Sequence, residues 1–204
     1  MAQESRGRMA GDPGRVGAPR PGASAGMLGM RLFLMALGVL FAASMVGYLV
    51  VRLRAPEWPP AGSPRLPEGL WVSTLLLLVS SGTIAAALSS ARQGKVRETA
   101  AGLWATAALG LAFFATQIYN WQHLITVHRL PAQQNLYAFT FYMLSGLHAA
   151  HVIGGLVPMA IAAVRAGRGR YTAQSHAGVE YLAMYWHFLD AVWIVMFVVM
   201  MLAA

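Results

Sequence analysis

The chain has 204 residues, of which 57% are hydrophobic and only 11% charged. Soluble domains carry roughly a quarter charged residues, so this composition excludes an ordinary water-facing globule. The absence of Cys excludes a disulfide scaffold, thiolate zinc sites, Cys-ligated iron–sulfur clusters and covalent haem attachment. The net charge of +8 does not point to nucleic acid as a partner. The basic residues stand in short loops between apolar runs, where membrane topology places them.

In chain order, residues 1–26 are rich in Gly, Pro, Ala and Arg and predict a disordered tail. Five apolar runs follow, at about 28–51, 70–90, 100–121, 136–164 and 179–204. Each has the roughly 20 residues that a membrane span needs. All five must be helical, because lipid cannot satisfy open backbone groups. The first run is longer than the apolar region of a signal peptide and is followed by Arg52-Leu-Arg, so it reads as a retained span. The expected fold is an all-α polytopic bundle of five transmembrane helices over residues 27–204. There is no repeat of 20–50 residues, no inverted symmetry in the hydropathy and no phosphate-binding Gly motif.

Lys and Arg set the orientation. Of the fifteen, eleven fall in the tail, at Arg31, in the second loop (Arg92, Lys95, Arg97) and in the fourth (Arg165, Arg168, Arg170). Arg52, Arg54, Arg65 and Arg129 fall on the other side. The positive-inside rule then predicts a cytoplasmic N-terminus and a periplasmic C-terminus.

Polar residues collect in the last two runs. At about 100° per residue, Ser145, His148, His151 and Gly155 share one face of the fourth helix. Glu180, Met184 and His187 share a face of the fifth, with Asp190 within about 80°. With antiparallel helices and a rise of ~1.5 Å per residue, His148 and Asp190 both fall near mid-membrane. An unpaired carboxylate there costs several kcal/mol. The expectation is therefore a structural network in which His148 and His151 face His187 and Asp190, with His176 serving Glu180 at i−4. Two other readings of these residues stay open. One is a proton path through Glu180, His187 and Asp190 in a small transporter. The other is a b-type haem held by His148 or His151 with His187. The pairing need of Asp190 argues that this chain ligates no metal. Trp58, Trp71, Tyr119 and Trp121 read as an interfacial aromatic belt, Met196, Met200 and Met201 as apolar filler, and His123 and His128 as solvated.

The stretch from Gly178 to Trp193, with its Tyr185-Trp-His-Phe-Leu-Asp190 core, closely resembles the last helix of haem-copper oxidase subunit III. Gly146-Leu-His-Ala-Ala-His-Val-Ile-Gly-Gly155 resembles that family's Gly-Phe-His-Gly-x-His-Val. His176 ahead of Glu180 also matches, and weaker likenesses lie at Leu75 to Thr83, at Gln117, Tyr119 and Trp121, and at Tyr48 to Arg52. Five spans are similar to the short bacterial form of the family. The sequence departs from it where family carboxylates are replaced by Leu37 and Asn120, and a family Trp by Arg31.

The resemblance implies a non-catalytic integral subunit of a proton-pumping terminal oxidase in a bacterial inner membrane. The main contact would be subunit I, with subunit II in the same complex. Haem and copper would reside in those partners, and none in this chain. It also implies support for sustained turnover, proton uptake and oxygen access, and a bound phospholipid. The expected lipid groove lies between the first two helices and the last three, with Arg31, Arg52, Trp186 and the loop arginines as contacts. The sequence leaves open a cytochrome c oxidase, a quinol oxidase or a nitric-oxide-reductase-associated homologue.

Overall fold

The computed structural model describes residues 21–60 and 69–203. It contains α1 (Pro21–Arg54), α2 (Gly69–Arg92), α3 (Val96–Thr126), α4 (Leu136–Gly167) and α5 (Ala177–Ala203). All five are long and apolar enough to cross a membrane. Among the described residues the only other regular feature is an isolated bridge between Thr172 and Ser175.

Local chemistry sets the ends. α1 begins at Pro21, inside the segment expected to be tail. Proline suits a first helical position because its φ is already helical and it has no N–H to leave unpaired. Residues 1–20 lie outside the described residues. Asn135 caps α4 by accepting from the Ala138 N–H at 2.8 Å. Gly94 and Gly169, both at positive φ, turn the chain after α2 and α4. Pro158 sits inside α4 without ending it, as bundled membrane helices permit. α3 runs beyond its expected end, so His123 is helical. Its ring meets His128 at a centroid distance of 5.3 Å. His128 is exposed and His123 partly so, and the two rings also meet.

α2 packs on α3, α3 on α4, α4 on α5, and α5 back on α2, closing a four-helix ring. Close approach comes from small residues. A Cβ on Gly102 of α3 would stand 2.8 Å from the Ala87 Cβ of α2 and 3.1 Å from its Cα. Thr83 and Thr106 share a 2.8 Å hydrogen bond across the same pair. Intramembrane interfaces pack this way because lipid supplies no hydrophobic drive between helices, leaving van der Waals fit and hydrogen bonds.

α1 stands outside the ring. It lies on α4 and α5 and, among the described residues, touches neither α2 nor α3. Its buried face is Leu37, Phe41 and Tyr48, and Phe33 stacks on Tyr185 of α5 at 6.0 Å. This corrects the expected division of two helices against three. α1 and α2 are joined by residues 55–68, a connection long enough for the two helices to part, and the apolar stripe of α1 finds its partner on α4 and α5.

Candidate functional site

The polar residues of α4 and α5 do not form one network. The structure distributes them among a buried histidine, an α2–α5 pair and a membrane groove.

His148 is fully buried. Its ring lies among Trp193, Phe113 and Phe41 at centroid distances of 5.1, 5.6 and 6.1 Å. Neither ring nitrogen has a hydrogen-bond partner among the described residues. His148 is thus packed as an aromatic ring and does not reach His187 or Asp190.

His187 turns instead to α2. Its Nδ1 stands 2.8 Å from the Ser81 hydroxyl. Asp190 is buried at 4% exposure, and neither carboxylate oxygen has a hydrogen-bond partner among the described residues. The Ser81 side chain also stands near this carboxylate. Asp190 and His187 therefore share α2 as their neighbour, where the sequence predicted α4.

Volume explains the rotation. The face of α5 that meets α3 and α4 is aromatic. A Cβ on Gly155 of α4 would stand 2.7 Å from the Tyr185 ring, and one on Gly110 of α3 would stand 2.7 Å from the Trp186 ring. These two glycines form notches that the two rings fill. Trp186 is buried at 1% exposure and donates from Nε1 to the Ser80 hydroxyl at 2.9 Å. The expectation that Trp186 contacts lipid is thereby overturned: it is a core residue that ties α5 to α2. Large rings occupy the α3–α4 side of α5, and the shorter His187 and Asp190 are left toward α2.

His151 takes a third environment. Its Nδ1 lies 2.7 Å from the Leu147 carbonyl one turn back in its own helix. Phe41 of α1 packs edge-on against its ring. The Tyr185 hydroxyl donates to the His151 carbonyl at 2.8 Å. His151 lines a cavity of about 770 Å³ between α1, α4 and α5, together with Phe33, Pro158, Tyr181, Tyr185 and Arg165. The lining is mostly apolar, with His151 and Tyr185 along it and Arg165 and Tyr171 at the end where α4 stops and α5 begins. A smaller cleft of about 360 Å³ adjoins it among Arg165, Arg168, Arg170 and Tyr171. This groove, between α1 and the α4–α5 pair, replaces the one expected between two helices and three. Arg31 follows Met30, a lining residue, and is exposed. Arg52 stands near the other end of α1 and is not among the residues that line the groove.

Glu180 pairs with Arg92 at 3.6 Å, tying the α2–α3 turn to the start of α5. Its link to His176 is limited to the backbone, where the Glu180 N–H donates to the His176 carbonyl at 3.2 Å. The expected side-chain partnership of His176 and Glu180 is therefore replaced by a cross-helix ion pair.

The buried Gln117 and Asn120 and the part-buried Trp121, all on α3, were not singled out as site residues by the sequence. Gln117 is fully buried with neither side-chain end hydrogen-bonded among the described residues, and Asn120 is 2% exposed against Gly69. Trp121 donates from Nε1 to the Ser145 hydroxyl at 3.1 Å, so it belongs to the α3–α4 interface and not to an aromatic belt. The available signal was their i, i+3, i+4 spacing along the buried face of α3. Among the described residues, no three His, Asp or Glu side chains gather as a metal site.

Five helices long and apolar enough to cross a membrane, packed around a buried core of aromatic rings and a histidine, define a polytopic helix bundle with a lateral groove. The profile of cytochrome c oxidase subunit III matches residues 19–203. Cytochrome c oxidase subunit 3 of Synechocystis sp. is 36% identical over 86% of this chain and 75% of its own length. The subunit of the same name from Thermostichus vulcanus is 32% identical over 84% of each chain. Cytochrome bo(3) ubiquinol oxidase subunit 3 of Pseudomonas aeruginosa is 35% identical over 86% of this chain and 84% of its own. The chain belongs to the cytochrome c oxidase subunit III family and is a multi-pass membrane protein.

Proposed function

We propose that the chain is the non-catalytic subunit III of a haem-copper terminal oxidase of the cytochrome c oxidase type, in a bacterial inner membrane. The observation that carries this reading is the family match over residues 19–203, joined to five spans. Haem and copper reside in partner subunits, with subunit I as the main contact and subunit II in the same complex. The charge bias of the loops supports a cytoplasmic N-terminus, which puts the Arg165 end of the groove on the proton-uptake side. The role is to sustain subunit I over many turnovers and to support proton uptake and oxygen access. A strain lacking the chain should yield an oxidase that begins oxygen reduction at a normal rate and then inactivates early in the progress curve. An unchanged time course in its absence would contradict the role. The similarity to a ubiquinol oxidase subunit favours, as the second reading, the same role in a quinol enzyme.

The groove supports phospholipid binding. Its apolar walls suit an acyl chain, and Arg165, Arg168 and Arg170 suit an anionic head group at its end. Purified complex carrying Arg165→Ala should retain less phospholipid phosphorus per complex than the parent. Equal phosphorus would remove the groove from consideration as a lipid site.

A further inference from the structure

His123 and His128 are five residues apart, a spacing that sets them about 140° apart around a continuous helix. The helix does not continue. α3 ends at Thr126, and the Val127 N–H donates to the His123 carbonyl at 3.0 Å. Arg129 then takes a positive φ of 51°. A residue other than glycine holds that left-handed conformation only where its surroundings fix it. Here the Leu130 N–H donates back to the Leu124 carbonyl at 3.1 Å. The Leu130 side chain is buried with Tyr137 and Ala138 at the start of α4. This backbone folds His128 over the last turn of α3. Its ring comes to 5.3 Å from that of His123, centroid to centroid, with the planes at 64°. Tyr119, one turn earlier on α3, flanks the His123 ring at 6.1 Å.

Both imidazoles are open to a ligand. His128 is exposed and His123 partly exposed. Among the described residues neither ring makes a hydrogen bond. His123 lies about 40 Å along α3 from Val96, beyond a hydrocarbon core of ~30 Å, so water and ions reach it. The adjoining charge in sequence, on Arg129, is exposed and screened by solvent.

The ring separation carries chemical information. An imidazole nitrogen binds zinc at about 2.0–2.1 Å, which sets the ring centroid about 3.2 Å from the metal. Two such rings at the tetrahedral angle have centroids about 5.2 Å apart. At the right angle of a square-planar or octahedral site the separation falls to about 4.5 Å. The observed 5.3 Å agrees with the tetrahedral value. Imidazole suits zinc, copper and nickel, and among these the tetrahedral preference belongs to zinc.

We propose that His123 and His128 form a two-histidine zinc site at the end of α3, with water at the two remaining coordination positions. The ion joins the last turn of α3 to the connection that leads into α4. The expectation that this chain ligates no metal was drawn from Asp190 and the mid-membrane histidines. The site lies outside that region and does not depend on the oxidase reading.

The test titrates zinc ion alone into the detergent-purified full chain, in its native complex and without a polyhistidine tag, in competition with a chromophoric zinc indicator. Because the second histidine binds an ion already held by the first, losing either should lower the affinity roughly 100-fold. His123→Gln, His128→Gln and the double variant should therefore bind equally weakly, while His176→Gln binds as the parent does. Affinity unchanged in the single variants, or losses in the singles that merely add up to that of the double, would overturn the shared site. Cobalt(II) supplies a second readout. The parent should give the intense visible bands of tetrahedral cobalt, and either single variant should lose them. Weak octahedral bands in the parent would overturn the assigned geometry.

Discussion

Replacing Trp186 by alanine should destabilise the isolated subunit by about 3 kcal/mol, at the lower end of the range for emptying a large aromatic site. The ring fills the notch at Gly110, borders the one at Gly155 that Tyr185 fills, and holds α5 to α2 through Ser80. In a membrane the burial of apolar surface supplies little, so the loss comes from van der Waals contacts and from the Nε1 hydrogen bond. Trp186→Phe separates the two. It keeps most of the ring and removes the bond to Ser80, and should cost about 1 kcal/mol. Thermal unfolding in detergent, followed by loss of helical circular dichroism, measures both. Equal midpoints for the parent and Trp186→Ala would show that the notches close up without the ring.

Gly102→Leu should be comparably severe, for a different reason. The added side chain begins 2.8 Å from the Ala87 Cβ and 3.1 Å from its Cα. The nearest atoms are a backbone and the first atom of a side chain, so no rotamer change relieves the contact. α2 and α3 must separate, which also strains the Thr83–Thr106 hydrogen bond. Overpacking of this kind costs about 1–3 kcal/mol and sometimes more. Gly102→Ala should fall between the parent and Gly102→Leu. As a control, Gly82→Ala should leave the stability of the isolated chain unchanged, because nothing stands within 4 Å of its Cβ. A subunit carrying Gly102→Leu that melts with the parent would mean that α2 and α3 are not held at this distance.

The sequence made the helices legible and left their arrangement obscure. Length and hydropathy alone place five spans, since lipid admits few alternatives. Helical spacing correctly put Ser145, His148 and His151 on the face of α4 that meets other helices. Spacing does not say which helix a face meets. His187 and Asp190 lie about 60° apart on α5, and so do Trp186 and Asp190's neighbour Leu189. The choice between those faces was made by ring volume against Gly110 and Gly155, which a polarity count ignores. The glycine at 155 was visible on the same face as the histidines and was the signal that a large ring would arrive there. The position of α1 was harder. Nothing local distinguishes packing on α2 from packing on α4 and α5 when the connecting segment is long. Arg92 and Glu180 show the same limit: an i−4 histidine was the nearest partner in sequence, and an arginine from another turn was nearer in space.

The family match accounts for what the local geometry alone leaves undecided. Histidines on two helices and a mid-membrane carboxylate fit a haem ligand set or a proton path as readily as a structural core. In the structure they occupy three separate environments, with His148 among rings, His187 on Ser81 and His151 beside a groove.

The most direct measurement is the composition of the complex that carries this chain. The chain is tagged at its N-terminus, extracted from its native membrane in a mild detergent, and analysed for subunit stoichiometry and haem spectrum. The account predicts one haem-copper subunit I per chain, with the haem absorbance leaving the chain when subunit I is stripped away. Recovery of this chain without a haem-copper subunit, or with a Soret band that stays on the isolated chain, would contradict it.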